Sequence, residues 1–243
     1  TMHAVREKKV NYGRIRLWGS ITFILGAILA GNILEGRSTN TVLFMTISGL
    51  IFIVLASFQL PKKRFISSKN SEYPILTLFR NKPFVLMLLA AAMVQSSHAV
   101  VYSFSTIHWK SIGFSETLIG LLWAEGVIAE IILFHYSARV FKYIKPVLLI
   151  MIGGAAGILR WTIMGSTDFL PFLILAQALH GLTFGATHLG AIHYISDTIP
   201  ERQSATAQSL LSALVMGIGI GSATMLSGWI FANFASQAYF PMA

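Results

Sequence analysis

Two carboxylates lie inside one of the most apolar stretches of the sequence, GLLWAEGVIAEIILF at residues 120–134. An ionised carboxylate inside a membrane is costly, so acidic residues at such places face a cavity or a partner and are functional candidates. Glu125 and Glu130 are separated by about 140° around a helix and by about 7.5 Å along it. Since they cannot face the same way, we assign Glu130, at the middle of the segment, to a cavity and Glu125 to a neighbouring helix.

One arginine, Arg160, also lies within an apolar segment, PVLLIMIGGAAGILRWTIMG at 146–165. Its side chain can extend to the headgroups at the nearer membrane surface. Alternatively, it faces inward and pairs with a glutamate, because a guanidinium does not lose its proton and is costly when unpaired.

Polar residues and one phenylalanine recur at spacings of three and four along ALHGLTFGATHLGAIHYI at 178–195. This spacing places them on one face of a helix. They are His180, Thr183, Phe184, Thr187 and His188. A single membrane histidine is as often a hydrogen-bonded packing residue as a functional one. Two imidazoles and two hydroxyls on one face, near an arginine and a glutamate on other helices, predict a polar site.

The composition places these residues in a membrane. The sequence is 55% apolar and 11% charged, with a mean hydropathy of +0.69, which is outside the range of soluble domains. The apolar runs are too long for barrel strands and do not alternate. We therefore predict an all-α integral membrane protein with seven spans, at residues 17–35, 41–60, 84–107, 117–138, 146–165, 169–194 and 204–234.

The net charge of +9 comes from the segments between the spans. Alternate loops lie on the same side of the membrane, and one such set contains all of the 18 lysines and arginines except Arg37, Lys110 and Arg160. That side of the membrane is cytoplasmic by the positive-inside rule. We expect no nucleic-acid partner, because no basic stripe on a folded surface is indicated. The longest polar segment, residues 61–83, separates two spans from five and is the expected domain boundary.

Several stretches resemble one family in the order in which that family has them. They are YGRIRLWGSITFILGAILAG (12–31), SSHAVVYSFSTIHWKSIGFS (96–115), LLWAEGVIAEIILF (121–134), GILRWTIMG (157–165) and the segment 178–195. They resemble the 3-phenylpropionic acid transporter branch of the major facilitator superfamily. The resemblance implies a helical bundle in the bacterial cytoplasmic (inner) membrane, monomeric at full length.

The same resemblance implies that the chain carries helices five to eleven of twelve. Residues 1–60 would then end the N-terminal half with two helices, and 61–83 would be the cytoplasmic loop between the halves. Residues 84–243 would form five helices of the C-terminal half, without its last helix. The family pattern has a glutamate at the position of Glu130 and an apolar residue at that of Glu125. Glu125 either alters specificity or is a neutral carboxyl hydrogen-bonded to a neighbour.

We therefore predict a proton-coupled symporter of a small organic solute, in which Glu130 carries the proton and Arg160 modulates it. The substrate-binding candidates are His180, His188, Thr187, Glu125, Trp123 and Phe184, with Phe104 and Trp161 as further aromatic walls. The resemblance implies an aromatic carboxylate such as 3-phenylpropionate, while a sugar or nucleoside stays an alternative. An intramembrane enzyme is a remote alternative, since HExxH, GxSxG and cysteine are absent from the sequence. We expect no cofactor and no metal site.

Overall fold

Every element of the described chain is helical, in a computed structural model that describes residues 12–38, 40–59 and 74–243. The predicted all-α fold is thereby confirmed. In chain order the elements are α1 (Tyr12–Leu34), α2 (Asn40–Ser57), α3 (Pro74–Arg80), α4 (Lys82–Ser96), α5 (Ala99–Ser111), α6 (Glu116–His135), α7 (Ser137–Tyr143), α8 (Pro146–Ser166), α9 (Leu170–Ala178), π1 (Gly181–Ala186), α10 (Thr187–Thr198), α11 (Glu201–Leu210), π2 (Leu211–Gly219), α12 (Ile220–Phe234) and a final 3-10 turn (Ala235–Met242).

Six helical segments of the described residues have the length and hydropathy to cross a membrane. They are Asn40–Ser57, Lys82–Ser111, Glu116–His135, Pro146–Ser166, Leu170–Thr198 and Glu201–Met242. The remaining predicted span, at 17–35, coincides with α1, whose apolar part Gly19–Leu34 is shorter than the other six. Residues 1–11 and 60–73 of the predicted domains lie outside the described residues. The predicted division at 61–83 therefore stays a prediction.

The segment Glu201–Met242 winds as a π-helix over π2, and two further long segments are interrupted near their middle. The segment Lys82–Ser111 breaks at Ser97 and His98, where α4 ends and α5 begins. The segment Leu170–Thr198 winds as a π-helix over π1, and such single π turns occur frequently at functional sites. Both interruptions lie beside the buried polar residues described below.

Close backbone contacts hold α6 between α1 and π1. A Cβ atom added to Gly120 of α6 would lie 2.6 Å from the carbonyl oxygen of Ala27 on α1. One added to Gly181 of π1 would lie 2.8 Å from the carbonyl oxygen of Ala129. Small residues permit such approaches between membrane helices. This packing brings Glu130 of α6 close to the polar residues of π1.

Two apolar cores stand on either side of a buried polar layer. One is built around residues such as Phe84, Ile150 and Ile195, and the other around residues such as Trp161 and Leu173. Along three of the long segments, buried polar residues lie between the two cores in sequence: Gln95 and His98, Arg160, then Gln177, His180 and Thr183. The bundle therefore carries its polar groups in one layer near its middle.

Candidate functional site

A cavity of about 600 Å³ opens beside this polar layer. Its volume is within the usual range for small-molecule sites, about 300–1,000 Å³. Side chains from α1, α5, α6, α8, α9 and π1 form the wall: Gly19, Ser20, Phe23, Tyr102, Thr106, Trp123, Gly126, Val127, Glu130, Arg160, Gln177, His180 and Phe184. Five of the predicted site residues therefore share one cavity: Trp123, Glu130, Arg160, His180 and Phe184.

Arg160 is 1% exposed and faces into the bundle. Its Nη2 donates to Gln177 Oε1 at 2.8 Å, and its Nη1 donates to Thr183 Oγ1 at 3.0 Å and to His180 Nδ1 at 3.1 Å. The guanidinium also lies 4.6 Å from the ring centre of Trp161, a cation–π distance. Its Nε is buried without a hydrogen-bond partner among the described residues. The side chain thus points to the cavity layer and not to the headgroups.

Arg160 does not form the expected ion pair with a glutamate in this conformation. Within the part of the chain that the structure describes, ion pairs join Lys110 to Glu116 and His108 to Asp168. Arg160 instead donates to neutral oxygen and nitrogen acceptors. It shares the cavity with Glu130, so the pairing stays a prediction for another state of the protein.

Glu125 and Glu130 of α6 point in different directions, as the helical spacing predicts. Glu130 is 8% exposed and lines the cavity. Glu125 is half-buried and does not line it. The choice of Glu130 for the cavity therefore agrees with the geometry, whereas a substrate-binding role of Glu125 stays a prediction with no contact to this cavity.

Aromatic rings form much of the cavity wall. Trp123 donates from Nε1 to Thr106 Oγ1 at 3.0 Å and stacks on Tyr102 with ring centres 6.1 Å apart. Phe184 stacks on His180 at 5.3 Å. The cavity thus combines flat apolar surfaces with one cationic and one acidic group.

Two of the proposed aromatic walls lie elsewhere. Phe104 stacks on Phe231 at 4.6 Å, while Trp161 is fully buried and donates from Nε1 to Ser97 Oγ. Neither residue lines the cavity.

Thr187 and His188 do not line the cavity. Thr187 is fully buried against Gly153 of α8. His188 stacks on Phe184 and, together with Thr187, lines a separate small void beside Gln95. Substrate binding by Thr187 and His188 therefore stays a prediction, with no contact to this cavity.

Known proteins match the chain along almost its whole length. A family model described as the MFS_1 like family matches residues 1–242. The chain belongs to this family. It is 31% identical over 98% of its length to the probable 3-phenylpropionic acid transporter of Escherichia coli (strain K12), covering 63% of that protein. The resemblance to the superfamily, the fold class and a multi-pass membrane location are thereby confirmed.

Two other relatives carry different names. The chain is 24% identical over 95% of its length to the uncharacterized transporter YwbF of Bacillus subtilis (strain 168) and covers 58% of it. It is 25% identical over 93% of its length to a maltose permease of Geobacillus stearothermophilus and covers 58% of that protein. The chain spans about three fifths of the length of these family members.

Several cavity-layer residues of this family member were not among the sequence-derived site candidates. Tyr102, Thr106 and Gln177 line the cavity, and His98 is fully buried behind it. Gln177 could have been found as the polar residue within the apolar run LPFLILAQAL, because a buried amide needs partners. His98 lies in one of the stretches that carried the family resemblance, but its role depends on the helix break, which hydropathy does not reveal.

Proposed function

We propose that the protein is a proton-coupled secondary transporter of a small organic solute in the bacterial cytoplasmic membrane. The observation that carries the proposal is the cavity, which brings Glu130, Arg160 and His180 together within a bundle of membrane-length helices. Secondary transporters hold substrate and coupling ion near the bilayer midplane and move helices around that site. The relatives' names support transport, and none of the three is named as an enzyme.

Glu130 is the proposed proton carrier. Its carboxyl lines the cavity and is otherwise buried, so it can exchange a proton with the cavity while surrounded by protein. Arg160 lies on the same wall and carries a buried Nε donor without a described acceptor. A movement of α8 relative to α6 would bring the two charges together, favour the ionised carboxylate and release the proton.

The proposed solute is a small aromatic carboxylate such as 3-phenylpropionate. Arg160 and His180 provide the groups that suit a carboxylate, and the rings of Tyr102, Trp123 and Phe184 suit an aromatic ring. The E. coli relative is named as a transporter of this acid. Together these features favour a ligand with one anionic end and one flat apolar end.

A sugar is the second candidate, because one relative is named as a maltose permease. Aromatic faces also stack on sugar rings, and the amide of Gln177 and the hydroxyl of Thr106 can hydrogen-bond to hydroxyls. A nucleoside would use the same groups. An enzyme would change its ligand chemically, whereas a transporter releases it intact.

The test is uptake by the full-length protein in proteoliposomes. Labelled 3-phenylpropionate, maltose and uridine are offered separately, with and without an inwardly directed proton gradient. We expect gradient-driven accumulation of 3-phenylpropionate, recovered unchanged from the lumen. Accumulation of maltose or uridine, without accumulation of 3-phenylpropionate, would show that the solute is a sugar or a nucleoside. Accumulation that is the same with and without the proton gradient would refute proton coupling.

A further inference from the structure

A chain of hydrogen bonds connects the break between α4 and α5 to the cavity. His98 lies at the break and is fully buried. Its Nδ1 is 3.1 Å from the carbonyl oxygen of Val94 and 3.2 Å from that of Gln95. A carbonyl oxygen only accepts, so Nδ1 of His98 carries a proton.

Thr183 is the next member of the chain. Its Oγ1 lies 3.0 Å from Nε2 of His98 and 3.0 Å from Nη1 of Arg160. An arginine only donates, so Oγ1 accepts from Arg160 and its own hydroxyl proton points to His98. The second acceptor within its reach, the carbonyl oxygen of His180, is farther away at 3.4 Å. His98 is therefore the neutral Nδ1–H tautomer, accepting at Nε2.

The same guanidinium determines the tautomer of His180. Nη1 of Arg160 donates to Nδ1 of His180 at 3.1 Å, so this nitrogen is unprotonated. The ring proton of neutral His180 is then on Nε2, which has no hydrogen-bond partner among the described residues. Since the His180 side chain lines the cavity, its free ring nitrogen is a donor available to a solute.

We propose that His98 and Thr183 are positioning residues that hold Arg160 and thereby keep His180 in its Nε2–H tautomer, as a hydrogen-bond donor for an oxygen acceptor of the solute. Neither residue lines the cavity, so both act through Arg160. Without them Nη1 can turn away, and His180 can move its proton to Nδ1. The lone pair at Nε2 would then repel a carboxylate. The functional part of this inference rests on the proposed transport of an acid.

The direct test is a tautomer measurement that needs no substrate. Nitrogen-15 NMR of the full-length protein labelled at histidine separates Nδ1–H, Nε2–H and doubly protonated rings. The chain has seven histidines, so His98→Gln and His180→Gln variants assign the two signals. We expect Nδ1–H at His98 and Nε2–H at His180, and a mixture of tautomers at His180 in Thr183→Val. An Nδ1–H or doubly protonated His180, or an unchanged His180 in Thr183→Val, overturns the inference.

The functional test compares two competitors of uptake, 3-phenylpropionate and its neutral amide. We expect the preference for the acid over the amide to fall about tenfold in Thr183→Val and in His98→Phe. Thr183→Val removes the acceptor of Arg160 Nη1, and His98→Phe removes the acceptor of the Thr183 hydroxyl. Maximal exchange at saturation should stay within about twofold. A purely structural role would weaken acid and amide equally and leave the preference unchanged, which would contradict the proposal.

Matched variants complete the design. Thr183→Ser keeps the hydroxyl and should retain the preference. Thr162→Val should also retain it, because among the described residues that hydroxyl bonds within its own helix alone, to the carbonyl of Ile158. If His98→Phe does not fold, the Val and Ser variants of Thr183 still decide the question. If the wild-type protein carries no acid, the proposed solute fails, while the NMR result still supports or refutes the hydrogen-bond chain.

Discussion

The groups that stabilise charged side chains differ between the middle and one end of the bundle. At the middle, Arg160 is 1% exposed and donates to the neutral groups of Gln177, Thr183 and His180. At the end of α5, predicted to face outward, Lys110 pairs with Glu116 at 2.6 Å, and its side chain is 59% exposed. The buried charge is thus stabilised by hydrogen bonds to neutral polar groups, whereas the exposed charge is stabilised by an opposite charge and by water.

The difference has a functional consequence. An exposed pair is screened by solvent and contributes about 0–1 kcal/mol. A buried charge held by neutral groups still has its full charge available, so a second charge entering the cavity interacts with it strongly. The middle of the bundle is therefore where a proton or an anionic solute can change the state of the protein. Variants at the middle should have large effects and variants at the end small ones.

The largest effect is expected for Arg160→Lys. A single ammonium cannot reproduce the planar fork that reaches three acceptors, and each buried acceptor left without a donor costs about 1–3 kcal/mol. We expect uptake and exchange to fall by about 100-fold or more. Arg139→Lys, at an exposed position of α7, is the control and should be near normal. Uptake above a tenth of wild type in Arg160→Lys would show that a point charge is sufficient.

A smaller loss is expected for Gln177→Leu. Its amide accepts from Arg160 and donates from Nε2 to the carbonyl oxygen of Leu122 at 3.0 Å, which links α9 to α8 and α6. We expect roughly a tenfold weaker apparent affinity, measured as the half-saturating solute concentration. Gln208→Leu is the control, because within the part of the chain that the structure describes that amide bonds to Ser204 of its own helix and to no other helix. Equal effects of the two variants would show that Gln177 has no specific role in solute binding.

Glu125→Gln should be milder still. Glu125 is half-buried and outside the cavity lining, so loss of its charge leaves the cavity groups in place. We expect proton-driven uptake within about threefold of wild type, a difference of well under 1 kcal/mol. Uptake abolished here, with Glu130→Gln near normal, would transfer the coupling role to Glu125.

The smallest effect is expected for Asp168→Asn. Its carboxylate accepts from Nε2 of His108 at 2.8 Å, but the Asp168 side chain is 45% exposed. The free energy of unfolding should fall by less than about 1 kcal/mol, and uptake should stay within about twofold. A loss of apparent solute affinity as large as that expected for Gln177→Leu would contradict the difference between the two regions. It would show that the pair of His108 and Asp168 takes part in transport.

Sequence reasoning located the long helices and the carboxylate that faces the cavity. Hydropathy sufficed for the helices because lipid requires long apolar segments. The angular separation of Glu125 and Glu130 showed that they point in different directions, because α6 is a regular helix between them. The position of Glu130 at the middle of the segment, together with the family pattern, then assigned it to the cavity. In a regular helix, the number of residues between two side chains determines the angle between the directions in which they point.

Contacts between distant parts of the chain could not be predicted from the sequence. Thr187 and His188 lie outside the cavity lining, and the packing of Thr187 against Gly153 depends on how α10 and α8 meet. His98 was missed as a site residue because its contacts depend on the break before α5 and on Thr183, 85 residues away. The neutral partners of Arg160 could not be predicted either, because Gln177, Thr183 and His180 reach it from other helices.

The central claim, that Glu130 carries the coupling proton, is tested most directly by Glu130→Gln in the full-length protein. Gln keeps the size of the side chain and its hydrogen-bonding capacity but cannot ionise. Uphill uptake of 3-phenylpropionate driven by a proton gradient should disappear. Exchange of labelled for unlabelled solute, which needs no net proton movement, should survive. Loss of both activities in a protein that is expressed and folded normally would contradict the claim and make Glu130 a solute-binding or structural residue.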